Sequence, residues 1–201
     1  MKLAALDIET DTSPLTDEEL DAGYTSRGLD PHITEITAIS VATDDAILVF
    51  DEGGEDNILR NTIQAIAYIN PTALGTWNGA VFDLPFITDR ARLHGLETGI
   101  RLNPNPDIVP KYEPTPGHEG GYDAMWGSAH HIDVAYAMKD TAERLGVKWS
   151  LKPVAKALGF QPVEVDREKM HELSLEELHV YVASDANVTL ELLRRALKLD
   201  R

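Results

Sequence analysis

The sequence feature that most constrains the fold is an apolar run, Leu3–Glu9 (LAALDIE), which ends in two carboxylates one residue apart. Side chains alternate faces along a strand, so Asp7 and Glu9 are expected on one side while Ile8 turns into the core. Two acids on one face repel each other, and a folded protein tolerates them when cations bind there. Hard oxygen ligands of this kind favour Mg2+ or Mn2+. The same residues are also compatible with a strand that merely enters a polar loop.

The length of 201 residues fits one domain over residues 1–201 with a sizeable core. With 43% hydrophobic residues and no apolar run near about eighteen residues, we expect a soluble, cytoplasmic protein without a signal peptide or a membrane partner. The chain contains no cysteine, which excludes disulfides, thiolate metal sites and cysteine nucleophiles. Its chemistry must therefore come from oxygen or nitrogen side chains, or from a metal.

The charge balance is strongly acidic, with 18 basic and 34 acidic residues and a net charge of -16. This balance argues against a protein that coats DNA, because sequence-independent binding depends on many lysine and arginine contacts to phosphates. It does not exclude an enzyme that engages a nucleic-acid end locally. Salt screens surface charge over about 8 Å, and bound divalent cations invert the sign of the charge at a site. We interpret most of the surface acids as solubilising.

The remaining pattern predicts an α/β fold in which three antiparallel strands come first. The segment 10–31 is polar and reads as a loop insertion with a short helix over Leu15–Ala22. Further strands are predicted over Ile33–Val41, Ala46–Phe50 and Thr72–Trp77, and helices over Glu55–Ile69, Asp83–His94, His131–Leu145, Leu151–Leu158 and Ser174–Leu199. The segment 103–128 is rich in proline and glycine, so a long irregular loop is predicted there.

Three more residues strengthen the first motif. Tyr181 and Asp185 are spaced i and i+4, so they lie on one face of the predicted final helix. Asp83 stands where a predicted strand enters a helix. Four carboxylates and a phenol on three separate elements suit two divalent ions about 3.5 to 4 Å apart, which clamp a phosphodiester and activate water.

In these motifs the sequence resembles the DEDD superfamily of 3'-5' exonucleases, which have a ribonuclease-H-like fold with a central mixed sheet. The resemblance covers nearly the whole chain. Its three motifs fall on Asp7 and Glu9, on Asn78, Phe82 and Asp83, and on Tyr181 and Asp185. The tyrosine subclass is implied, because the histidine subclass needs a histidine at the position of Val180, and His179 is out of register. Trp77–Asp83 and the His-x-Asp segment resemble the proofreading domains of family B DNA polymerases more closely than they resemble the ribonuclease D group.

The resemblance also implies roles for individual residues. Asp7, Glu9 and Asp185 would hold one metal ion, and Asp7 would share the second ion with Asp83, which helps through water. Tyr181 would orient the attacking water, since a phenol with an ordinary pKa near about 10 is a poor base at neutral pH. In addition, the backbone N-H of Thr10 would contact the terminal 3' hydroxyl, while Asn78 and Phe82 belong to the substrate-binding motif.

Several lysines and aromatic residues are secondary candidates. Lys148, Lys152 and Lys156 recur every four residues, which would place them on one helical face as phosphate contacts or as a solvated face. The family has a comparable Ser-Leu segment at Ser150-Leu151. Trp77 reads as core, whereas three aromatic residues of the predicted loop could stack on bases or pack: Tyr112, Tyr122 and Trp126.

The segment His131-Ile132-Asp133 follows the predicted loop. Asp133 could face the site or cap a helix, and we favour capping, because aspartate is common at helix N-termini. His130 and His131 do not form a zinc site, since adjacent side chains point apart and no cysteine or third histidine is near in sequence.

The function predicted from the sequence is two-metal 3'-5' exonuclease activity on single-stranded or frayed DNA ends, with release of nucleoside monophosphates. The expected partners are a DNA 3' end, with RNA as an open alternative, and a DNA polymerase or replisome protein. A ribonuclease D-like exoribonuclease shares the tyrosine motif. The rivals from other classes are a non-catalytic replisome-binding module and an acidic mimic of DNA, neither of which explains a complete set of metal ligands.

Overall fold

The computed structural model describes residues 1–24, 29–111 and 113–199. Within them a mixed sheet has the order β3-β2-β1-β4-β7-β6-β5. The strands are β1 Leu3–Thr10, β2 Ile36–Thr43, β3 Ile47–Phe50, β4 Ala73–Thr76, β5 Ile100–Asn105, β6 Gly121–Trp126 and β7 Ala129–Asp133. The helices are α1 Asp17–Asp21, α2 Glu55–Ile69, α3 Asp83–Leu93, α4 Val134–Ala137, α5 Lys139–Leu145, α6 Leu151–Ala157 and α7 Leu175–Ala196, with a 3-10 helix over Arg167–Glu172.

Strand β1 lies in the interior of the sheet, between β2 and β4. It pairs antiparallel with β2 and parallel with β4, and β2 pairs antiparallel with β3. The predicted order of three antiparallel strands is therefore confirmed. The β1–β2 ladder shifts register between Glu9 and Thr10, which is where the chain leaves the sheet. None of the helices in the described ranges combines the length and the apolar character needed to span a bilayer.

The two faces of β1 belong to different halves of the core. Leu6 and Ile8 pack in a cluster with Ile58 and Leu59 of α2 and with Phe86 of α3. The opposite face, which begins with Leu3 and Ala5, packs against buried side chains of α4, α6 and α7, namely Val134, Leu151, Val154, Leu190, Leu192 and Leu193. Asp7 and Glu9 continue this second face, so the strand's alternation points both carboxylates toward the side that α7 covers.

Helices α2 and α3 are joined by a buried ion pair. Glu55 and Arg90 are each less than a tenth exposed, and the guanidinium donates two hydrogen bonds to the carboxylate, one of them at 2.7 Å. The same carboxylate accepts a hydrogen bond from the backbone N-H of Ile36 at 2.7 Å, and His94 Nε2 lies 2.6 Å from it. This cluster links two helices to the start of β2.

Two sequence predictions of secondary structure are wrong. The predicted loop over 103–128 contains the end of β5 and all of β6, which form an antiparallel ladder from Ile100–Trp126 to Asn105–Gly121. Between β5 and β6, the described residues 106–111 and 113–120 form neither helix nor strand. Pro104 is tolerated because β5 is an edge strand, where a missing N-H can face solvent.

The second error concerns the helix predicted over His131–Leu145. Its first residues form β7, which pairs parallel with β4 from Ala73–His130 to Thr76–Asp133. Helices α4 and α5 follow. By contrast, the final helix is predicted well, and its capping box of Ser174 and Glu177 is present.

Candidate active site

The carboxyl end of β1 delivers two acids to one point on α7. Asp7 and Glu9 are half-buried, and Asp185 of α7 is 2% exposed. Each of the three offers a carboxylate oxygen, and these oxygens lie within 4.8 Å of one another. The i, i+2 spacing on a strand and a single inward position on a helix are enough to build this triad. Three close carboxylates, two half-buried and one buried, form a donor set that fits a hard divalent cation.

Asp83 lines the same cleft but is not one of the triad. It is the first residue of α3 and is 3% exposed. Burial raises the pKa of Asp83 to about 8, and the negative charges of Asp133 and Glu9 add to the rise, whereas backbone N-H groups oppose it. The charged form of this carboxyl is therefore disfavoured in the metal-free protein.

Helix α7 carries the predicted Tyr181 one turn before Asp185, and the tyrosine is 1% exposed. Lys152 of α6 lies against both side chains. Its Nζ atom is 3.4 Å from Asp185 Oδ2 and 3.8 Å from the centroid of the Tyr181 ring. Lys152 thus places a positive charge beside the triad. The helix is fixed to the sheet by Ser40 of β2, whose hydroxyl donates a 2.7 Å hydrogen bond to the carbonyl of Val182.

A carboxylate on β7 holds the turn that leads into α3. Asp133 accepts hydrogen bonds from the backbone N-H groups of Asn78 at 3.0 Å and Ala80 at 2.9 Å, and from that of Ala135 at 3.0 Å. The last of these caps α4, as predicted. Burial raises the pKa of Asp133 to about 6, although the backbone hydrogen bonds lower it. Sequence reasoning missed its second role, the bracing of the turn from Asn78, which has a left-handed backbone with φ of 71°.

The acids face a cleft of about 450 Å³. Among the other predicted residues, Thr10, Asn78 and Phe82 line this cleft together with Trp77. Thr10 is the last residue of β1 and is buried, while Phe82 stands just before Asp83 and packs against Phe86. The structure therefore brings the residues of all three motifs to one region of the molecule, although Tyr181 is not among the residues that line the cleft.

The three predicted lysines do not share a helical face. Lys148 precedes α6, which begins at Leu151, so only Lys152 and Lys156 are helical. Lys156 makes an exposed ion pair with Glu164 at 2.7 Å, and only Lys152 reaches the triad. Substrate contact by Lys148 stays a prediction.

Of the three aromatic residues predicted to stack on bases, the two that the structure describes lie in different surroundings. Trp126 is 4% exposed in the core, so its assignment to an exposed loop is wrong. Tyr122 lies on β6 with its hydroxyl 2.7 Å from His118 Nδ1, and Tyr112 lies outside the described residues. Sequence reasoning missed Trp149 and Lys111, which line the cleft. The signal available for Trp149 is its place directly before the Ser-Leu segment.

The histidines of β7 stand apart from the triad. Burial lowers the pKa of His131 to about 4, and its Nε2 lies 2.7 Å from the Thr76 hydroxyl. The groups of potential metal ligands found in the described part of the chain do not include it, nor His130.

Comparison with known proteins identifies the family. A family model described as RNase_H superfamily matches residues 26–173, which is well over half of the chain. This match includes Asp83 and Asp133, whereas Asp7, Glu9 and Asp185 lie outside it.

Individual relatives agree with this match. The chain is 31% identical to the catalytic subunit of DNA polymerase epsilon from Saccharomyces cerevisiae, over 70% of its own length and 6% of the relative. It is 29% identical to the protein of the same name from Kluyveromyces lactis, over 92% of its length and 9% of the relative. The chain thus spans less than a tenth of these curated relatives.

A solved structure shares the fold. The family B DNA polymerase from the archaeon Pyrobaculum calidifontis superposes on 98% of this chain with a TM-score of 0.69, at 22% identity and over 24% of the polymerase chain. The sheet order, the family match and this superposition agree. The chain belongs to the RNase H superfamily.

Proposed function

We propose that this chain is a metal-dependent 3'-5' exonuclease that hydrolyses phosphodiester bonds at the 3' end of single-stranded or frayed DNA and releases nucleoside monophosphates. The observation that carries the proposal is the triad of Asp7, Glu9 and Asp185, whose oxygens lie within 4.8 Å of one another at a cleft that Asp83 also lines. Such a donor set concentrates negative charge where a phosphodiester, itself an anion, would have to bind. A substrate anion is attracted there only when cations are bound.

In this proposal Asp7, Glu9 and Asp185 hold one Mg2+ or Mn2+ ion, and Asp7 shares a second with Asp83. Two bound ions would lower the pKa of water and neutralise charge on the attacked phosphate. Asp83 contributes through water, which is consistent with its place outside the triad. The raised pKa of Asp83 fits a carboxyl that ionises fully once cations are beside it.

The chain's own residues would do the positioning. The Tyr181 hydroxyl orients the attacking water, while bound metal ions would supply the activation of that water. Thr10, at the end of β1, offers its backbone N-H to the terminal 3' hydroxyl. Asn78 and Phe82 line the cleft where the terminal nucleotide would lie. The turn that carries them is braced by Asp133, so their geometry is set before substrate arrives.

The relatives support DNA as the substrate and a replication partner. Both named relatives are catalytic subunits of a DNA polymerase, and the chain matches a small part of each. We therefore propose that this exonuclease acts beside a DNA polymerase or another replisome protein. We also expect residues 1–201 to fold as one domain, which a single cooperative unfolding transition would support.

The proposal is tested with single-stranded DNA and RNA of one sequence, each labelled at the 5' end. With Mg2+ or Mn2+, the DNA should shorten one nucleotide at a time from its 3' end, and a chelator should stop the reaction. Faster digestion of the RNA would make the chain an exoribonuclease. A failure to digest either strand with either metal would contradict the proposal and favour a non-catalytic module.

A further inference from the structure

The lysines of this acidic chain are unevenly distributed. Five of them occur between positions 111 and 156, and they are Lys111, Lys139, Lys148, Lys152 and Lys156. In a protein of net charge -16, a local group of cations is where a polyanion would be held. Two of these lysines meet at one aromatic ring beside the cleft.

That ring belongs to Trp149, which lines the cleft together with Lys111. The Nζ atom of Lys111 is 5.3 Å from the centroid of the indole, and that of Lys139 is 5.2 Å from it. Lys111 Nζ also donates a 2.6 Å hydrogen bond to the carbonyl of Trp149. Both ammonium groups lie within the range of cation-π attraction. Two cations therefore contact one aromatic ring of the cleft lining.

The indole is itself held firmly. Its Nε1-H donates a 2.6 Å hydrogen bond to the carbonyl of Ala135, and the Tyr136 ring packs edge-on against it at 5.4 Å. Tyr136 in turn donates a hydrogen bond to the carbonyl of Val109, on the segment that brings Lys111 to the cleft. A lysine that is positioned in this way loses less conformational freedom when it binds an anion. The cluster is thus preorganised for phosphate.

We propose that Lys111 and Lys139, positioned by Trp149, form a second binding subsite for backbone phosphates of nucleotides 5' to the scissile bond. The inference rests on the proposed nuclease function, because the acidic triad at the same cleft sets where the scissile phosphate lies. The triad needs bound metal cations before it can accept a phosphate, whereas this subsite already contains the positive charges of two lysines. A strand is thereby held at two points, of which only one depends on metal.

The test measures the affinity of a 5'-labelled single-stranded octanucleotide by fluorescence anisotropy over a range of salt concentrations. A chelator is present, so that turnover cannot occur. Lys111→Met and Lys139→Met should each weaken binding about fivefold at low salt. Each should also reduce the slope of log affinity against log salt by about 0.7, which is the contribution of one phosphate contact on a single strand.

Two variants control for charge and for folding. Lys2→Met removes one charge at the opposite end of β1 and should bind like the wild type. Lys139→Arg keeps the cation and should retain the wild-type salt slope, whereas a purely structural role for Lys139 predicts an unchanged slope for Lys139→Met as well. Equal affinities and slopes for Lys2→Met, Lys111→Met and Lys139→Met would overturn the subsite, as would a wild-type protein without measurable binding at low salt.

A small substrate separates this subsite from the proposed chemistry. The p-nitrophenyl ester of thymidine 5'-monophosphate contains a scissile phosphodiester and no neighbouring phosphate. If the wild type hydrolyses neither the ester nor DNA, the nuclease proposal fails while the anisotropy result still decides the subsite. On the ester, the fivefold effect of Lys139→Met should disappear, and an equal effect there would place Lys139 at the scissile phosphate and contradict the subsite.

Discussion

Glu55 and the carboxylates of the cleft are found in opposite surroundings within the part of the chain that the structure describes. Glu55 is the first residue of α2, and its carboxylate accepts hydrogen bonds from the guanidinium of Arg90 on α3 and from the backbone N-H of Ile36. Burial alone would raise the pKa of Glu55, but the hydrogen bonds from Arg90, Ile36 and His94 bring it below its usual value. At the cleft, Asp7, Glu9 and Asp185 face one another, and the nearby Asp83 has a pKa raised to about 8.

The different partners of these carboxylates correspond to different roles: Glu55 stabilises the fold, whereas the cleft carboxylates are placed to bind a ligand. Glu55 carries its counter-charge within the chain, so its charged form is part of the folded state. The carboxylates of the triad and of Asp83 line the cleft, while Lys152 lies beside Asp185 and Lys111 is also part of the lining. Several carboxylates at one cleft are the kind of oxygen donor set that binds a hard divalent cation. A buried carboxylate is thus expected to stabilise the folded state at Glu55 and to destabilise the metal-free folded state at the cleft.

The largest expected effect comes from Asp7→Asn, which keeps the size of the side chain and removes its charge. Turnover should fall by more than about 1,000-fold, because even a single electrostatic group in an active site is worth about 100- to 1,000-fold. Binding of Mn2+, measured by calorimetry, should be lost together with activity. The metal-free variant should be at least as stable as the wild type, because like charges at the cleft are relieved.

Asp45→Asn is the matched control, since it removes one exposed charge at the turn between β2 and β3. It should change neither metal binding nor turnover. An Asp7→Asn protein that still binds two ions and cleaves DNA would contradict the ligand assignment.

Glu55→Gln should have the opposite result, with loss of stability and no loss of chemistry. Arg90 would keep a buried charge without its carboxylate, which costs about 3 to 5 kcal/mol of unfolding free energy. Urea denaturation measures this loss. Asp56→Asn is the control one residue along α2, where the ion pair with Arg60 is exposed, and it should stay close to the wild type. Equal stabilities for the two variants would show that burial of the Glu55 pair does not matter.

A smaller effect is expected for Tyr181→Phe, which removes one hydroxyl and leaves all cleft charges in place. We expect kcat to fall about 100-fold while the affinities for metal and DNA stay unchanged, because the proposed contact is made to the attacking water in the transition state. Steady-state kinetics with a parallel Tyr68→Phe control, on an exposed face of α2, measures the effect. Full activity of Tyr181→Phe would remove the assignment to the tyrosine subclass.

The smallest expected effect is the pH dependence of stability. The folded-state pKa of Glu55 is below its ordinary 4.5, so its contribution is present above pH 4.5 and is lost as the pH falls through the folded value. The gap in unfolding free energy between wild type and Glu55→Gln should therefore be widest near neutral pH and narrow below 4.5. A gap that stays constant down to the acid transition would show that the Glu55 pKa is not lowered.

The sequence predicts those parts of the site that depend on local periodicity. Asp7 and Glu9 follow from the alternation of a strand, and Tyr181 and Asp185 follow from the spacing of a helix. That β1 and α7 meet is a tertiary fact, which only the resemblance to a family supplied. The positions of Lys152 and Trp149 depend on how α6 packs, and no pattern in the sequence encodes that.

The missed strands have a common physical cause. Pro104 and the glycines around β6 weaken the β signal, yet pairing at the sheet edge and burial of Trp126 stabilise the hairpin. The histidines of β7 look polar, but parallel pairing with β4 buries His131 against Thr76. Without β7, the second role of Asp133 could not be predicted either. Its hydrogen bonds to Asn78 and Ala80 exist only because β7 lies beside β4.

The hydrogen bond from Ser40 to the Val182 carbonyl fixes the axial position of α7. A helix that packs by apolar side chains alone can occupy more than one axial position on a sheet. In other proteins, helices shift past a neighbouring element by one turn, about 5.4 Å. The buried Ser40 hydroxyl would lose its acceptor after such a shift, and an unsatisfied buried group is costly. Ser40 also pairs with Asp7 in the β1–β2 ladder. The Ser40 hydroxyl therefore fixes the position of α7 along its axis relative to β1. This axial position determines where Asp185 lies relative to Asp7.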